Sequence, residues 1–419
     1  MGTLATASFF ILAIFVLGYI AIALEFTIKT NKTAVALAIA VLCWLIYFVN
    51  ADTPPIYTFM EDLAQVSQII FFILGAMTIV ELIDSHNGFN TIIEFIHTRS
   101  KKHLLWIIAG VAFVLSAMLD NLTTTILMIS ILRKLIPHKK DRFLYGCLIV
   151  IAANAGGAWT PIGDVTTTML WINGQITTLA VMRSVFAPSL VMLLVPLCYF
   201  SMNAKGEFAP LPKDYSTHKP EPGAHLVFGF GLGSLILVPI IHWLTDLPPF
   251  MGMLISLSLL WFLTDILHHK HESRQHLRIP HILTKIDVSN ILFFLGILLT
   301  IDALAAAGLL TALASWLGTH IESQTGIVTL IGILSALIDN VPLVAATMNM
   351  YDLSQFPVDS KLWLMIAYAA GTGGSILLIG SSAGVAFMGL EKVDFYTYLK
   401  KVSIPILIGY LVGMSIYLL

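Results

Sequence analysis

Charge is scarce in this chain. Only 11% of its 419 residues are Asp, Glu, Lys or Arg, against 58% hydrophobic, whereas a soluble globular domain carries about 25% charged residues. That excludes an ordinary soluble domain. A net charge of −2 offers nucleic acid no basic surface. Cysteine is scarce too. Cys43, Cys147 and Cys198 lie in apolar runs at unrelated spacings, which excludes a disulfide framework or a zinc pattern and leaves them as small core residues. No basic segment precedes the apolar stretch 4–24, so it reads as a first spanning helix and not as a signal peptide.

What the chain has in plenty is apolar length. Runs of roughly 18 or more apolar residues recur from end to end, each long enough to cross a bilayer as a helix. The fold class is therefore an all-α polytopic membrane protein. Uninterrupted spans are expected at 4–24, 33–50, 63–83, 185–202, 225–243, 250–267, 288–301 and 403–419. The stretches 143–171 and 362–390 are apolar but broken, at Asn154-Ala155-Gly156-Gly157-Ala158-Trp159-Thr160-Pro161-Ile162-Gly163-Asp164 and at Gly371-Thr372-Gly373-Gly374. Glycines and a proline there free backbone carbonyls, which membrane proteins tolerate only beside a polar cavity or buried in protein. Short arm helices are expected at 86–97 and 305–317, and 51–55 is acidic and turn-like.

The segment 104–136 carries Asp120-Asn121 near its middle and is basic on both flanks. Lys and Arg concentrate on the cytoplasmic side, so this chain segment enters and leaves on one face, as a re-entrant hairpin with the Asp-Asn pair at its buried tip. The pattern Ser116-Ala117-Met118-Leu119-Asp120-Asn121 returns as Ser335-Ala336-Leu337-Ile338-Asp339-Asn340, 219 residues on (339 − 120). The second hairpin, 325–350, has acidic or neutral flanks and should enter from outside. Leu74-Gly75 likewise matches Leu295-Gly296, and Gly156-Gly157 matches Gly373-Gly374. Five crossings per half turn the second half over. The expected architecture is an inverted-topology repeat of about ten transmembrane helices plus two re-entrant hairpins, both termini outside. Residues 1–203 form the first repeat, 204–224 a cytoplasmic linker and 225–419 the second repeat. Such repeats mark secondary transporters, whose sites lie where the repeats meet.

Aspartates at membrane depth are functional hypotheses by default, since each costs at least about 2.5–3.5 kcal/mol to insert. A hard cation such as Na⁺ takes oxygen ligands. The first half offers Asp120, Asn121, Thr123 and Thr124 beside the opened backbone of Asn154 to Thr160, and the second Asp339, Asn340, Thr372, Ser381 and Ser382. No His, Cys and Glu cluster accompanies them, which argues against a transition metal. Asp164 breaks the symmetry. A third carboxylate near Asp120 suits a site that holds either a proton or Na⁺, because neighbouring carboxylates repel. The plainer alternative is capping: Asp and Asn are good N-caps, and helix N-termini favour carboxylates. Glu81, Asp84 and Asp302 read as caps near helix ends, with a proton-relay role the alternative for Glu81 and Asp302. The histidines of 268–281 read as a solvated basic loop, with pH sensing the alternative.

Through Leu119-Asp120-Asn121-Leu122-Thr123-Thr124-Thr125 and the broken segment 154–164, the sequence resembles NhaD-type Na⁺/H⁺ antiporters. These belong to a superfamily that also holds divalent-anion/sodium symporters and arsenite permeases. In the symporters the tips read Ser-Asn-Thr. Here Asp120 and Asp339 stand in place of Ser, and Leu122 and Val341 in place of Thr. Added carboxylates repel an anion and apolar residues cannot hydrogen-bond it, so both departures favour a cation alone. The resemblance implies a secondary active transporter, not an enzyme. It would exchange Na⁺ or Li⁺ for H⁺ in a bacterial inner membrane, as a homodimer moving by an elevator mechanism, with no cofactor beyond the transported ions. The expected exchange groups are Asp120, Asp164 and Asp339. The expected cation ligands are Asn121, Thr123, Thr124, Asn154, Thr160, Asn340, Thr372, Ser381 and Ser382. A Na⁺-coupled carboxylate symporter, an arsenite permease, an intramembrane aspartyl protease with a shared-proton dyad and a channel are the alternatives.

Overall fold

The computed structural model describes residues 2–23, 25–51, 55–89, 98, 100–136, 138–204, 206–208, 221–321 and 323–419. Most of the expected linker 204–224, the arm segment 90–97 and most of the turn 51–55 lie outside them. The described chain is helical: α1 Gly2–Ala23, α2 Glu25–Ile28, α3 Lys32–Asn50, α4 Ile56–Ser85, α5 Lys101–Ser116, α6 Asn121–Leu135, α7 Lys139–Gly157, α8 Val165–Ile172, α9 Thr178–Asn203, α10 Ala224–Thr245, α11 Pro249–His268, α12 Ile279–Ile282, α13 Val288–Ala306, α14 Leu309–His320, α15 Gln324–Leu334, α16 Asn340–Met350, α17 Lys361–Gly373, α18 Ser382–Glu391, α19 Phe395–Lys401 and α20 Ser403–Leu418. Among the described residues six helices are long and apolar enough to cross a membrane: α3, α4, α9, α10, α11 and α13. A seventh is added if α19 and α20, bent by 57°, form one span.

The two Asp-Asn stretches fold alike. Each breaks a helical run, and the aspartate caps the next helix: Asp120 accepts from Thr123 N (2.9 Å) and Asp339 from Val341 N (3.2 Å). The glycine breaks follow suit. Helix α7 stops at Gly157 and α8 restarts after Asp164, while α17 stops at Gly373 and α18 restarts after Ser381. Matched contacts hold each pair. Ser116 Oγ donates to Ala153 O (2.6 Å), and Ser335 Oγ donates to Ala370 O (3.0 Å). Gly156 lies on the carbonyl of Phe113 just as Gly373 lies on that of Gly332. Neither leaves room for a β-carbon, so α5 packs on α7, and α15 on α17, at backbone contact. The helices after the two Asp-Asn stretches then cross over: α6 packs against α18, and α16 against α8.

This close approach gives a test. Gly156→Ala overpacks α5 against α7 and is expected to destabilise by about 1–3 kcal/mol, read as a lowered thermal unfolding midpoint in detergent. Gly229→Ala, where an added methyl group meets nothing within 4 Å, should not lower the midpoint, since alanine is the better helix former.

Two apolar clusters divide the interior. One gathers α5 to α7, α9, α17 and α20 with parts of α4, α10 and α11; the other gathers α3, α13 and parts of α1, α4 and α16. Three expectations need correction. Cys198 is exposed, unlike the buried Cys43 and Cys147, because its face of α9 turns outward. The second arm helix starts at Leu309, not 305, since Gly308, at φ +73°, separates it from a longer α13. His268 is not a solvated loop residue. It is 1% exposed, and its Nε2 lies 3.0 Å from His86 Nε2. His86 Nδ1 faces Leu82 O (2.8 Å) and must donate there, so His86 Nε2 accepts and His268 Nε2 donates.

Candidate functional site

The sequence places Asp164 at the N-cap of α8, after a break that frees the first turn of the helix. Its Oδ1 accepts from Thr166 N (3.0 Å) and Thr166 Oγ1 (2.9 Å). The cap therefore uses one oxygen and leaves the other to the interior. Oδ2 accepts from Asn121 Nδ2 (3.0 Å) in the first Asp-Asn stretch and from Asn340 Nδ2 (3.4 Å) in the second. Asp164 is 1% exposed. A carboxylate so buried requires hydrogen-bond donors or a counter-ion, and here two carboxamides from opposite halves of the chain supply the donors.

The network runs on. Asn121 Nδ2 also donates to Asn154 Oδ1 (3.0 Å), and Asn154 Nδ2 donates to Ser375 Oγ and Ser381 Oγ (2.9 Å each). Ser382 Oγ donates to Asn121 Oδ1 (3.3 Å). Expected residues Asn121, Asn154, Asp164, Asn340, Ser381 and Ser382 thus meet at one place, where the two breaks and the two tips converge. The halves contribute unequally. Asn154 corresponds to Gly371, and Asp164 to Ser381, at an offset of 217 in each case (371 − 154; 381 − 164). A β-carbon at Gly371 would sit 2.9 Å from Ala158 Cβ and 3.8 Å from Asp164 Oδ2, so the missing side chain lets α17 pack closely on the first break beside the carboxylate.

Other expected residues lie apart from this network. Asp120 and Thr123 bond to each other, through Thr123 N and Thr123 Oγ1. Asp339 caps α16, and neither Asp120 nor Asp339 hydrogen-bonds the other among the described residues, so they form no dyad of the protease kind. Thr160 Oγ1 donates to Ala117 O (2.6 Å), tying the first break to the first tip. Thr372 Oγ1 donates to Tyr368 O (2.6 Å) within its own helix. The hydroxyl of Thr124 is buried without a partner among the described residues. Glu81 accepts from Ser85 (3.1 Å) and Asp302 from Asn349 (3.5 Å), both near helix ends. Sequence reasoning missed Ser375 and Thr166. Ser375 directly follows the second glycine run, and Thr166 stands two residues after a cap, where a cap's partner belongs; both signals were legible.

Three cavities approach the network. A small one of about 40 Å³ is lined by Asp120, Asn121, Leu122, Thr168, Asn290 and Ser382 with apolar residues of α4, α10, α11 and α13. A second, about 320 Å³, is lined by Glu25, Asn31, Lys32, Asp287 and Ser289 and shares Leu122, Asn290 and Ser382 with the first. A third, about 850 Å³, is lined by Trp159, Trp171, Thr177, Trp243, Asp246 and Val358 and shares Met118 and Ile162 with the small one. The small cavity thus lies between two larger openings.

Comparison with known proteins identifies relatives. The family described as citrate transporter matches residues 19–363. Sodium/proton antiporter 1 of Arabidopsis thaliana is 51% identical over 97% of this chain and 71% of its own length. Sodium/proton antiporter 2 of the same plant is 48% identical over 97% of this chain and 98% of its own length. The Na⁺/H⁺ antiporter NhaD of Alkalimonas amylolytica is 30% identical over 99% of this chain and 91% of its own length.

Proposed function

This chain belongs to the citrate transporter family, and we propose that within it the protein exchanges Na⁺ or Li⁺ for H⁺ across a membrane. It is a multi-pass transporter and not an enzyme. One observation carries the choice of cargo: a carboxylate buried to 1% exposure receives carboxamides from both Asp-Asn tips. A site so lined attracts a cation and repels citrate. The tips also carry apolar Leu122 and Val341 next to their asparagines, where an anion would need hydrogen-bond donors.

In the exchange we assign Asp164 the proton and the cation in turn. As arranged, the amide nitrogens of Asn121 and Asn340 face the carboxylate. Turning both carboxamides over presents two Oδ1 atoms instead, the oxygen ligands that a hard cation takes. Asn154, Ser381, Ser382 and Ser375 orient Asn121, Thr160 holds the tip to the break, and Asp120, with Thr123, puts a second carboxylate on the cavity side. Asp339 completes the second tip.

The architecture we propose is an inverted-topology repeat of ten crossings with two re-entrant hairpins, α5–α6 and α15–α16, split at the linker 204–224. The matched glycine contacts and the crossed packing of the hairpin legs support it. Basic flanks put the opening at Lys32 and Asp287 in the cytoplasm, and the opening at Thr177 and Asp246 outside. A site flanked by an opening on each face suits alternating access. We favour an elevator movement in a homodimer, in a membrane that carries a proton gradient, of which the bacterial inner membrane is one.

The test is made in proteoliposomes holding an imposed pH gradient, acid inside. Addition of Na⁺ or Li⁺ is expected to collapse the gradient, and K⁺ or succinate to leave it intact. A gradient untouched by Na⁺ alone but dissipated by Na⁺ with succinate would replace this reading with a carboxylate symporter.

A further inference from the structure

The small cavity adjoins the Asp164 network and shares Asn121 and Ser382 with it. It lies beside that network, on the side of the cytoplasmic opening, and one of its polar walls comes from a helix that contributes nothing to the network. Asn290, in the first turn of α13, lines both the small cavity and the opening beyond it. It is 8% exposed. Its backbone N–H is capped by Asp287 Oδ1 (3.1 Å), but its carboxamide has no hydrogen-bond partner among the described residues. Asp120 and Ser382 line the same cavity. Both carboxylate oxygens of Asp120 accept from Thr123, yet each retains lone-pair capacity.

Resting on the exchange reading above, we propose that Asp120, Asn290 and Ser382 form a separate waiting site for a partly hydrated Na⁺ or Li⁺ between the cytoplasmic opening and Asp164. The space fits. A water needs roughly 10–15 Å³ of such room, so about 40 Å³ holds about three waters, or a cation that keeps two of them. The chemistry fits too: a carboxylate, an amide oxygen and a hydroxyl are the hard ligands that such an ion takes. Ser382 links the two stages, because its hydroxyl donates to Asn121 (3.3 Å), and Asn121 in turn holds Asp164. A cation in the cavity draws the Ser382 oxygen, and with it the orientation of Asn121. Asn290 comes from the cluster of α3 and α13, while Asp120 and Ser382 sit with the hairpin and the second break. The waiting site is therefore complete only when these two bodies are aligned as they are here.

Asn290 is placed as a specificity-determining ligand, and its test separates binding from folding. Asn290→Leu keeps the side-chain shape and removes the oxygen; Asn290→Asp keeps an oxygen in place. Exchange rates in proteoliposomes, measured against Na⁺ or Li⁺ concentration on the cytoplasmic side, are expected to show KM raised about tenfold or more in Asn290→Leu. The maximal rate should stay within about twofold. Asn290→Asp should return KM to near the wild-type value. An unchanged KM in Asn290→Leu overturns the proposal, as does an equal rise in both variants. Should Asn290→Leu fail to fold, Asn290→Ser, whose oxygen no longer spans the cavity, must show the same rise. A second readout does not need transport: the Na⁺ concentration that half-maximally raises the thermal unfolding midpoint in detergent should increase in Asn290→Leu. If wild-type vesicles show no exchange, the function fails. The waiting site still stands or falls on that sodium-dependent midpoint.

Discussion

Asp164→Asn is expected to lower Na⁺-driven proton exchange by at least about 100-fold while the protein still folds. The substitution removes the charge and turns the Oδ2 position into a donor, so the carboxamides of Asn121 and Asn340, which now donate there, must present their oxygens instead. An asparagine at 164 keeps an oxygen for Thr166 N and Thr166 Oγ1, the two groups that now bond Asp164 Oδ1. Asparagine is itself a good N-cap, so α8 keeps its start. What goes is the anion. At an effective dielectric of 20, a unit charge about 4 Å from a carboxylate gains roughly 4 kcal/mol, about a thousandfold in affinity. The group that would carry the proton goes with it. The initial rate of gradient collapse by Na⁺ reads the effect, with the unfolding midpoint measured on the same preparation. Exchange within tenfold of wild type would remove Asp164 from the site. Asp120→Asn is the companion, since it too preserves a cap, to Thr123 N, and deletes a carboxylate from the cavity.

Glu391→Ala is expected to destabilise the protein by about 3 kcal/mol through a different kind of buried carboxylate. Glu391 is 4% exposed and ends α18. It accepts from Arg133 Nε at 2.7 Å and from Arg142 Nη2 at 2.9 Å and Nε at 3.1 Å. Arg133 also donates to Leu390 O, and Arg142 Nη1 to Ile136 O (2.9 Å). One carboxylate thereby fastens α18, the helix after the second break, to α6 and to α7. Removing one partner of a buried ion pair typically costs 3–5 kcal/mol. The low end is expected because the Arg133 side chain is 44% exposed, so water takes up part of the loss. Glu391→Gln should cost less, as it keeps hydrogen-bonding capacity. Thermal unfolding in detergent reads both. A midpoint in Glu391→Ala equal to wild type would show that the cluster holds nothing together.

These two carboxylates differ in how far the sequence announced them. Asp164 stood out because an acid at membrane depth, next to a glycine-rich break, has few neutral explanations. Glu391 lies in a stretch of ordinary appearance, Met388-Gly389-Leu390-Glu391-Lys392, and its two arginine partners are 258 and 249 residues away. No local pattern encodes such a pair. Asn290 was equally silent: it sits in the first turn of an apolar helix and reads as a capping neighbour of Asp287. The histidines of 268–281 divide: His269, His271, His276 and His281 are exposed, as their clustering with Lys and Arg suggests, and only the packing of α11 against α4 brings His268 onto His86.

The sequence by itself determined the class of protein, the two Asp-Asn tips, the two breaks and the membership of most of the network. Those features follow from local rules that act over a few residues: apolar length, helix breaking by glycine and proline, capping by aspartate, and the cost of charge away from water. Which oxygen of Asp164 is left for the interior, which asparagines reach it, and which helix closes the cavity beside Asp120 were decided only by tertiary structure. Those depend on how helices from opposite ends of the chain meet at backbone contact, and a side chain's partner across such a contact is set by the geometry of both helices and not by its neighbours in sequence.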